Sequence, residues 1–243
     1  MRSSSKRKWT IHLKQDHKHK LIYIKQQQLK TLTAEAKILE KDRRGNKVLL
    51  LTNGHILKIF TSRSRLSKSW WLPYSIKFAR NAEALRQRSI ASVKVLSIYK
   101  LQEPGKTAVE YRPLPGNTLE NCIKMHDDKV SLCKSLGQFI AELHSKGIYF
   151  RALHPGNILL DEKGRWGLID IADLRCFNSS LNQNKRERNF HHLVRHQRFL
   201  PYLKLLKGDK LISSYYQSID HINESNLYNN LMQIWHDYLG PND

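Results

Sequence analysis

Cysteine is scarce in this 243-residue chain: Cys122, Cys133 and Cys176 are the only three, and no two stand in a Cys-x-x-Cys spacing. An odd count without ligand spacing argues against a disulfide framework or a thiolate zinc site and fits a reducing compartment. Acidic residues are also few, 21 Asp and Glu against 42 Lys and Arg, which leaves a formal charge of +21. That balance excludes a cation-sequestering surface and favours polyanionic partners: nucleic acid, an anionic membrane face, or a phosphorylated or carboxylated substrate. No apolar run approaches the ~18 residues of a spanning helix. The basic start, "MRSSSKRKWTIHLKQDHKHK", has no apolar segment of the secretory kind. Internal repeats and long low-complexity tracts are missing too. The serines lack a nucleophile-elbow context, and the His191-His192 pair has no companion metal ligands nearby.

What is present is a 40% hydrophobic chain, enough for one sizeable domain or two small lobes around a cleft. Residues 1–33 read as a polar, basic extension, broken by an alternating patch at Leu21 to Ile24 that suits an edge strand. From Ala36, "AKILEKDRRGNKVLLLTNGHILKIF" reads as three strands, with Asn53-Gly54 as a hairpin turn because both residues tolerate positive φ. "SIKFARNAEALRQRSI" follows as a helix with Ile76, Ala79, Ala82 (or Glu83) and Leu85 on one face, then two further strands. After Pro113 the texture turns helical. Leu132, Leu136, Phe139, Ile140 and Leu143 form a core-facing stripe that Gly147 ends. A loop, the strand Ile158 to Leu160, a turn, a strand at Leu168-Ile169 and a helical remainder complete the chain. Strands first and helices second predict an α+β, two-lobed architecture: an extension over 1–33, an N-lobe over 34–112 and a C-lobe over 113–243.

The chemistry concentrates in "GIYFRALHPGNILLDEKGRWGLIDIADLR". A kinase catalytic loop has the pattern H-R-D-L-x-x-x-N, followed by a metal-holding Asp. Here Phe150 to Asn157 lies over that loop, with Arg151, Leu153 and Asn157 in place, and Asp170 comes thirteen residues after Asn157. An Asn amide and an Asp carboxylate are hard oxygen ligands of the kind Mg²⁺ takes; an ordinary hairpin with a buried Asn cap is the competing reading. Lys58, amid the alternating apolar residues of "HILKIF", is the candidate to neutralise nucleotide phosphates. Its expected helix partner is Glu83, although usual spacing would put that glutamate nearer Phe78, and Asn81 is also on offer. Gly45 is the one glycine of the phosphate-covering loop, where backbone amides, or Arg43 and Arg44, would contact phosphate. "VEYRPLPG" reads as the connector between lobes, with the backbone near Glu110 and Arg112 placed for adenine.

Taken together, "HILKIF", "FARNAEALRQRSI", "VEYRPLPGNTL", "GQFIAELHSKGIYFRALHPGNILL", "GLIDIADLR" and the R-x-R-N-x-x-x-L-x-R segment from Arg186 to Arg195 resemble the bacterial lipopolysaccharide core kinases. Those enzymes phosphorylate Kdo or heptose sugars on a protein-kinase-like fold. The resemblance spans roughly residues 48–195. It implies ATP and Mg²⁺ as cofactors, a lipid-linked core oligosaccharide or other anionic sugar as acceptor, and work at the cytoplasmic face of the inner membrane with peripheral contact to anionic lipid. One position departs from it: Ala152 stands where the acceptor-orienting Asp belongs, and alanine neither orients a hydroxyl nor takes its proton. General-base help is typically worth ~10²–10⁴-fold. Two candidates to replace it are His154, two residues on, and Asp173, just after Asp170. His154 is of a type that titrates near neutrality, and packing or hydrogen bonding in the loop is its competing role. For Asp173 a pair with Arg175 is the competing role. A pseudokinase scaffold is the alternative reading, and a small basic kinase linked to RNA modification, with nucleic-acid contact, is a third that the connector and "RERNF" fit less well.

Overall fold

The computed structural model describes residues 21–43, 45–62, 73–219 and 226–240. Their first half is a six-stranded sheet in the order β1-β6-β7-β4-β3-β2. Its strands are β1 (Leu21–Ile24), β2 (Lys37–Asp42), β3 (Gly45–Leu50), β4 (Ile56–Thr61), β6 (Lys94–Leu101) and β7 (Lys106–Arg112). All neighbours are antiparallel except the edge strand β1, which runs parallel to β6. The Asn53-Gly54 turn forms as its sequence dictates: Gly54 takes φ +78°, and Asn53 Oδ1 accepts from the His55 amide at 3.0 Å.

Alternation along β4 divides the sheet's two faces. Leu57 and Ile59 join Leu49, Leu101 and Ala108 in a small outer core, covered by helix α1 (Gln26–Leu32) through Leu29 and Leu32. Residues 21–32 are thus built into the sheet and its outer cover rather than loosely tethered, because Ile24 and Leu29 have apolar surface to bury there. Residues 1–20 of the expected extension lie outside the described residues. Lys58 and Phe60 face the opposite way, where Phe60 packs on Phe78 of helix α2 (Tyr74–Gln87) with ring centroids 6.0 Å apart. The expected stripe on α2 is buried: Ile76, Ala79, Ala82 and Leu85, with Phe78 added.

The second half is helical. Helices α3 (Leu119–Met125) and α4 (Lys129–Ser145) begin on Thr118 and Asp128, whose side chains accept from the Asn121 and Ser131 amides. They are followed by α5 (Gln183–Val194), α6 (Leu200–Leu203), α7 (Gly208–Gln217) and α8 (Leu227–Leu239). The Leu132 to Leu143 stripe of α4 is buried as expected, and α7 lies tight against it. At Gly137 a Cβ would stand 2.3 Å from the Leu211 carbonyl, so only glycine admits that approach. Short strands β8 (Asn117–Thr118), β10 (Ile158–Leu160) and β11 (Trp166–Leu168), with β5 (Ala91–Ser92), form a four-stranded sheet. Strands β9 (Ile148–Phe150) and β12 (Leu174–Cys176) pair separately. β11 stops one residue short of the expected Leu168-Ile169 strand, because Asp170 turns into the left-handed region at φ +52°. The architecture is α+β and two-lobed, sheet-rich before the connector and helical after it. Among the described residues no helix is long and apolar enough to cross a membrane.

Candidate active site

The cleft between the halves has a volume of about 1110 Å³ and is lined by Gly45, Lys58, Arg151, Asp170 and Asp173 among others. β4 delivers Lys58 from above, registered between Val48 of β3 and Val109 of β7. Its ammonium pairs with Asp170 Oδ1 at 2.6 Å, and its side chain is only 15% exposed against 46% for the Asp170 side chain. Asp170 is held in αL geometry, a backbone state that aspartate tolerates better than most residues but that still costs about 1–2 kcal/mol. Such local strain collects at functional sites.

Asn157 comes to the same place by a backbone link: the Ile169 amide donates to the Asn157 carbonyl at 3.0 Å, so the residue before Asp170 is tied to Asn157. The Asn157 side-chain amide donates to the Ala152 carbonyl at 3.0 Å and to His154 Nε2 at 3.1 Å. Its Oδ1 is therefore the atom with lone pairs to give to a ligand. Among the described residues no three His, Cys, Asp or Glu side chains gather to hold a metal. Two oxygen donors with the remaining positions filled by phosphate and water is a Mg²⁺ arrangement rather than a zinc one. The Asn157 Oδ1 and the Asp170 carboxylate are donors of the type that would hold a Mg²⁺.

Ala152 keeps its backbone place, and its methyl packs on the main core. His154 is held among aromatic rings. Its ring stacks on Phe199 at 5.0 Å with a 19° interplanar angle and lies edge-on to His196. Burial, and after it the nearby His196, pull its pKa down to about 4, so the expected titration near neutrality does not occur. With Nε2 accepting from Asn157 and Nδ1 buried without a partner, His154 is a positioning residue for Asn157. Asp173 is exposed on the single turn Ile171–Asp173 that follows Asp170 and lines the same cleft.

Glu83 is not the partner of Lys58. Its carboxylate is engaged by Arg86 at 2.6 and 2.8 Å and by Gln87 at 2.9 Å, along its own helix. Asn81, the alternative, works on the loop instead: its amide donates to the Ile171 and Leu174 carbonyls at 2.7 and 3.0 Å, clamping the turn after Asp170 to α2. Glu110 points to the outer face of the sheet, where His55 Nδ1 at 2.8 Å and Tyr99 Oη at 2.7 Å hold it. Burial raises its pKa, but the hydrogen bonds from Tyr99 and His55 outweigh that and leave it below the ordinary carboxylate range. Neither Glu110 nor Arg112 is among the residues that line the cleft. Arg112 ends β7 exposed, and Gly45 sits at the β2–β3 turn with φ +114°. Arg44 lies outside the described residues.

Beneath the loop over 150–157 lies a buried network that sequence reasoning missed; of its members only Arg186 and Asn189 fall in the "RERN" segment. Asn189, fully buried, donates to the Phe150 carbonyl at 2.7 Å and accepts from the Phe150 amide at 3.3 Å. His144 Nε2 lies 3.2 Å from the same Asn189 oxygen, and His144 Nδ1 lies 2.9 Å from Tyr215 Oη, which accepts from Arg186 at 3.0 Å. One proton assignment satisfies all of these: Arg186 donates to Tyr215, Tyr215 to His144 Nδ1, and His144 Nε2–H to Asn189. Full burial, with the Arg186 charge second, lowers the His144 pKa to about 3, as a neutral member of that chain requires.

Sheet, helix, connector, loop and hairpin follow one another in this order, a two-lobed α+β architecture. No family model and no curated protein matches the chain. Among solved structures it is similar to a co-crystal structure of WbdD with a kinase inhibitor, at 15% identity and a TM-score of 0.47, covering 82% of this chain and 44% of that one. A medium-resolution structure of the bifunctional kinase-methyltransferase WbdD is similar at 15% identity and a TM-score of 0.43, covering 74% and 40%. The chain spans less than half the length of either.

Proposed function

We propose that the protein is a Mg²⁺-dependent ATP phosphotransferase whose acceptor is a sugar hydroxyl on a lipid-linked core oligosaccharide, working at the cytoplasmic face of an anionic membrane. The observation that carries this reading is the Lys58–Asp170 pair, joined to Asn157 through the Ile169 amide. Lys58 would lie along nucleotide phosphate oxygens, while Asp170 and the Asn157 Oδ1 would hold the metal. A bound Mg²⁺ supplies neutralisation of charge on the phosphates during transfer. Gly45 lines the cleft, the connector backbone past Glu110 would offer its polar groups to adenine, and Asp173 is the exposed carboxylate nearest in sequence to Asp170. The +21 charge supports docking to anionic sugar and lipid.

A nucleotide-binding scaffold is the second reading, favoured by one observation: the catalytic-loop position holds a methyl, and the histidine beside it is neutral and stacked. The two separate cleanly. Mg²⁺-dependent ATP binding is measured first on the wild type and on Lys58→Met, then γ-phosphate transfer to purified core oligosaccharide. Binding that Lys58→Met weakens, followed by transfer, is the expected result. Binding without transfer favours the scaffold, and no nucleotide binding at all sinks both.

A further inference from the structure

Arg188, His192 and Arg195 stand four and then three residues apart at the end of α5, on one helical face. That face is held against the catalytic loop. Tyr149 Oη and His192 Nε2 are 2.9 Å apart, and Asn189 grips both backbone groups of Phe150, the residue before Arg151. Arg151, Arg188 and Arg195 are all exposed, and Arg151 lines the cleft that Lys58 and Asp170 face. None of the three makes an ion pair with any described residue, whereas Arg198 next to them reaches Glu120 at 3.5 Å. After burial, the charges of Arg195, Arg151 and Arg188 are what hold His192 neutral, down to about 4, so all three bear on one imidazole. Arg188 and Arg195 on this face, and Arg151 on the loop it packs against, are thus exposed guanidinium groups with no ion pair among the described residues. Guanidinium forks match carboxylate and phosphate oxygens two at a time.

We propose that Arg151, Arg188 and Arg195 form the anion-reading part of the acceptor site, gripping a phosphate or carboxylate group of the acceptor beside the cleft. The assignment rests on reading that cleft as a phosphotransferase site. It places specificity in Arg188 and Arg195 at α5 together with Arg151 of the adjoining loop, while Lys58, Asn157 and Asp170 are left to the nucleotide.

The test is equilibrium binding to the full chain, with core oligosaccharide freed of lipid as the probe, before and after removal of its phosphates. A hydrogen-bonded charge pair contributes about 1.5–3 kcal/mol, or roughly tenfold or more in affinity. Arg188→Ala/Arg195→Ala therefore binds the native oligosaccharide at least about tenfold more weakly, and the double Lys variant falls between. Both bind Mg²⁺·ATP as the wild type does. Lys134→Ala/Lys163→Ala, which removes two exposed cations elsewhere, leaves both affinities within about twofold. An equal loss in that control, unaltered binding in the arginine variant, or a wild type that ignores the oligosaccharide each overturns the proposal. So does an arginine-dependent attachment to phosphatidylglycerol vesicles in place of the oligosaccharide, which would make the face a membrane contact. Absence of ATP binding in the wild type would instead defeat the kinase reading, and the oligosaccharide comparison would still decide this one.

Discussion

Replacing Asn189 by leucine keeps the branching and the heavy-atom count of the side chain and removes its amide. Three buried groups then lose their partner: the Phe150 amide, the Phe150 carbonyl and His144 Nε2. Asn189 is 0% exposed, and water does not reach the site without opening the packing of α5 on β9. Each buried polar group left unmatched costs about 1–3 kcal/mol. The three together come to roughly 3–6 kcal/mol once some relaxation is allowed, a large part of the 5–15 kcal/mol that holds a typical domain together. Urea unfolding at neutral pH, followed by far-ultraviolet circular dichroism, reads this as a lower midpoint at unchanged slope. Asn230→Ala is the matched control, because its one bond to Glu187 is exposed at 2.7 Å, and it should shift stability by less than about 0.5 kcal/mol. An Asn189→Leu loss below about 1 kcal/mol would refute the claim that this amide holds the catalytic loop in place.

Ala152→Asp restores a carboxylate beside the acceptor position. Turnover should rise by about 10²–10⁴-fold at unchanged ATP affinity, and a flat kcat would show that proton removal is not what limits the reaction. His144 makes stability depend on acid. Its folded pKa of about 3 lies below the ordinary 6.5, so its contribution is whole above pH 6.5 and declines toward pH 3, by at most ~1.4 kcal/mol per pH unit. Urea midpoints across that range, with His144→Gln as the non-titrating comparison, should show the variant's shallower slope; parallel curves would count against the assignment. Gly137→Ala drives a methyl to 2.3 Å from the Leu211 carbonyl and should cost roughly 1–3 kcal/mol by pushing α7 off α4, read as a drop in melting temperature.

Much of this was legible in the sequence where the signal is local. The Asn53-Gly54 turn, the α4 stripe and the alternation around Lys58 each rest on chemistry within a few residues, and each forms as read. The strands-then-helices order sufficed for the α+β, two-lobed class. Long-range pairing was not legible. Nothing in Leu21 to Ile24 announces a parallel partner in β6, since alternation says which face a strand buries and not which neighbour it meets. Glu83 was chosen for charge on the right helix, yet a carboxylate three and four residues from Arg86 and Gln87 satisfies itself locally. His154 was assigned an ordinary pKa because the Phe199 stack that desolvates it comes from a segment 45 residues later. The His144–Asn189–Tyr215 chain joins residues 45 and 71 apart, and its members look like three unrelated polar residues on three helices.

The fastening of α2 alters where the molecule can flex. Asn81 ties that helix to the turn after Asp170, Arg88 reaches the Lys146 and Phe177 carbonyls, and Lys146 returns a bond to the Arg88 carbonyl. Just beyond, β5 pairs with β11, and Ser92 donates to the Leu168 carbonyl. α2 is thus hydrogen-bonded to the helical half, whereas it meets the six-stranded sheet through apolar packing such as Phe78 on Phe60 and Tyr111. Lys58 belongs to the sheet while Asn157 and Asp170 belong to the helical half, so a tilt of the sheet would change the Lys58–Asp170 separation and leave the backbone link between Asn157 and Ile169 as it is.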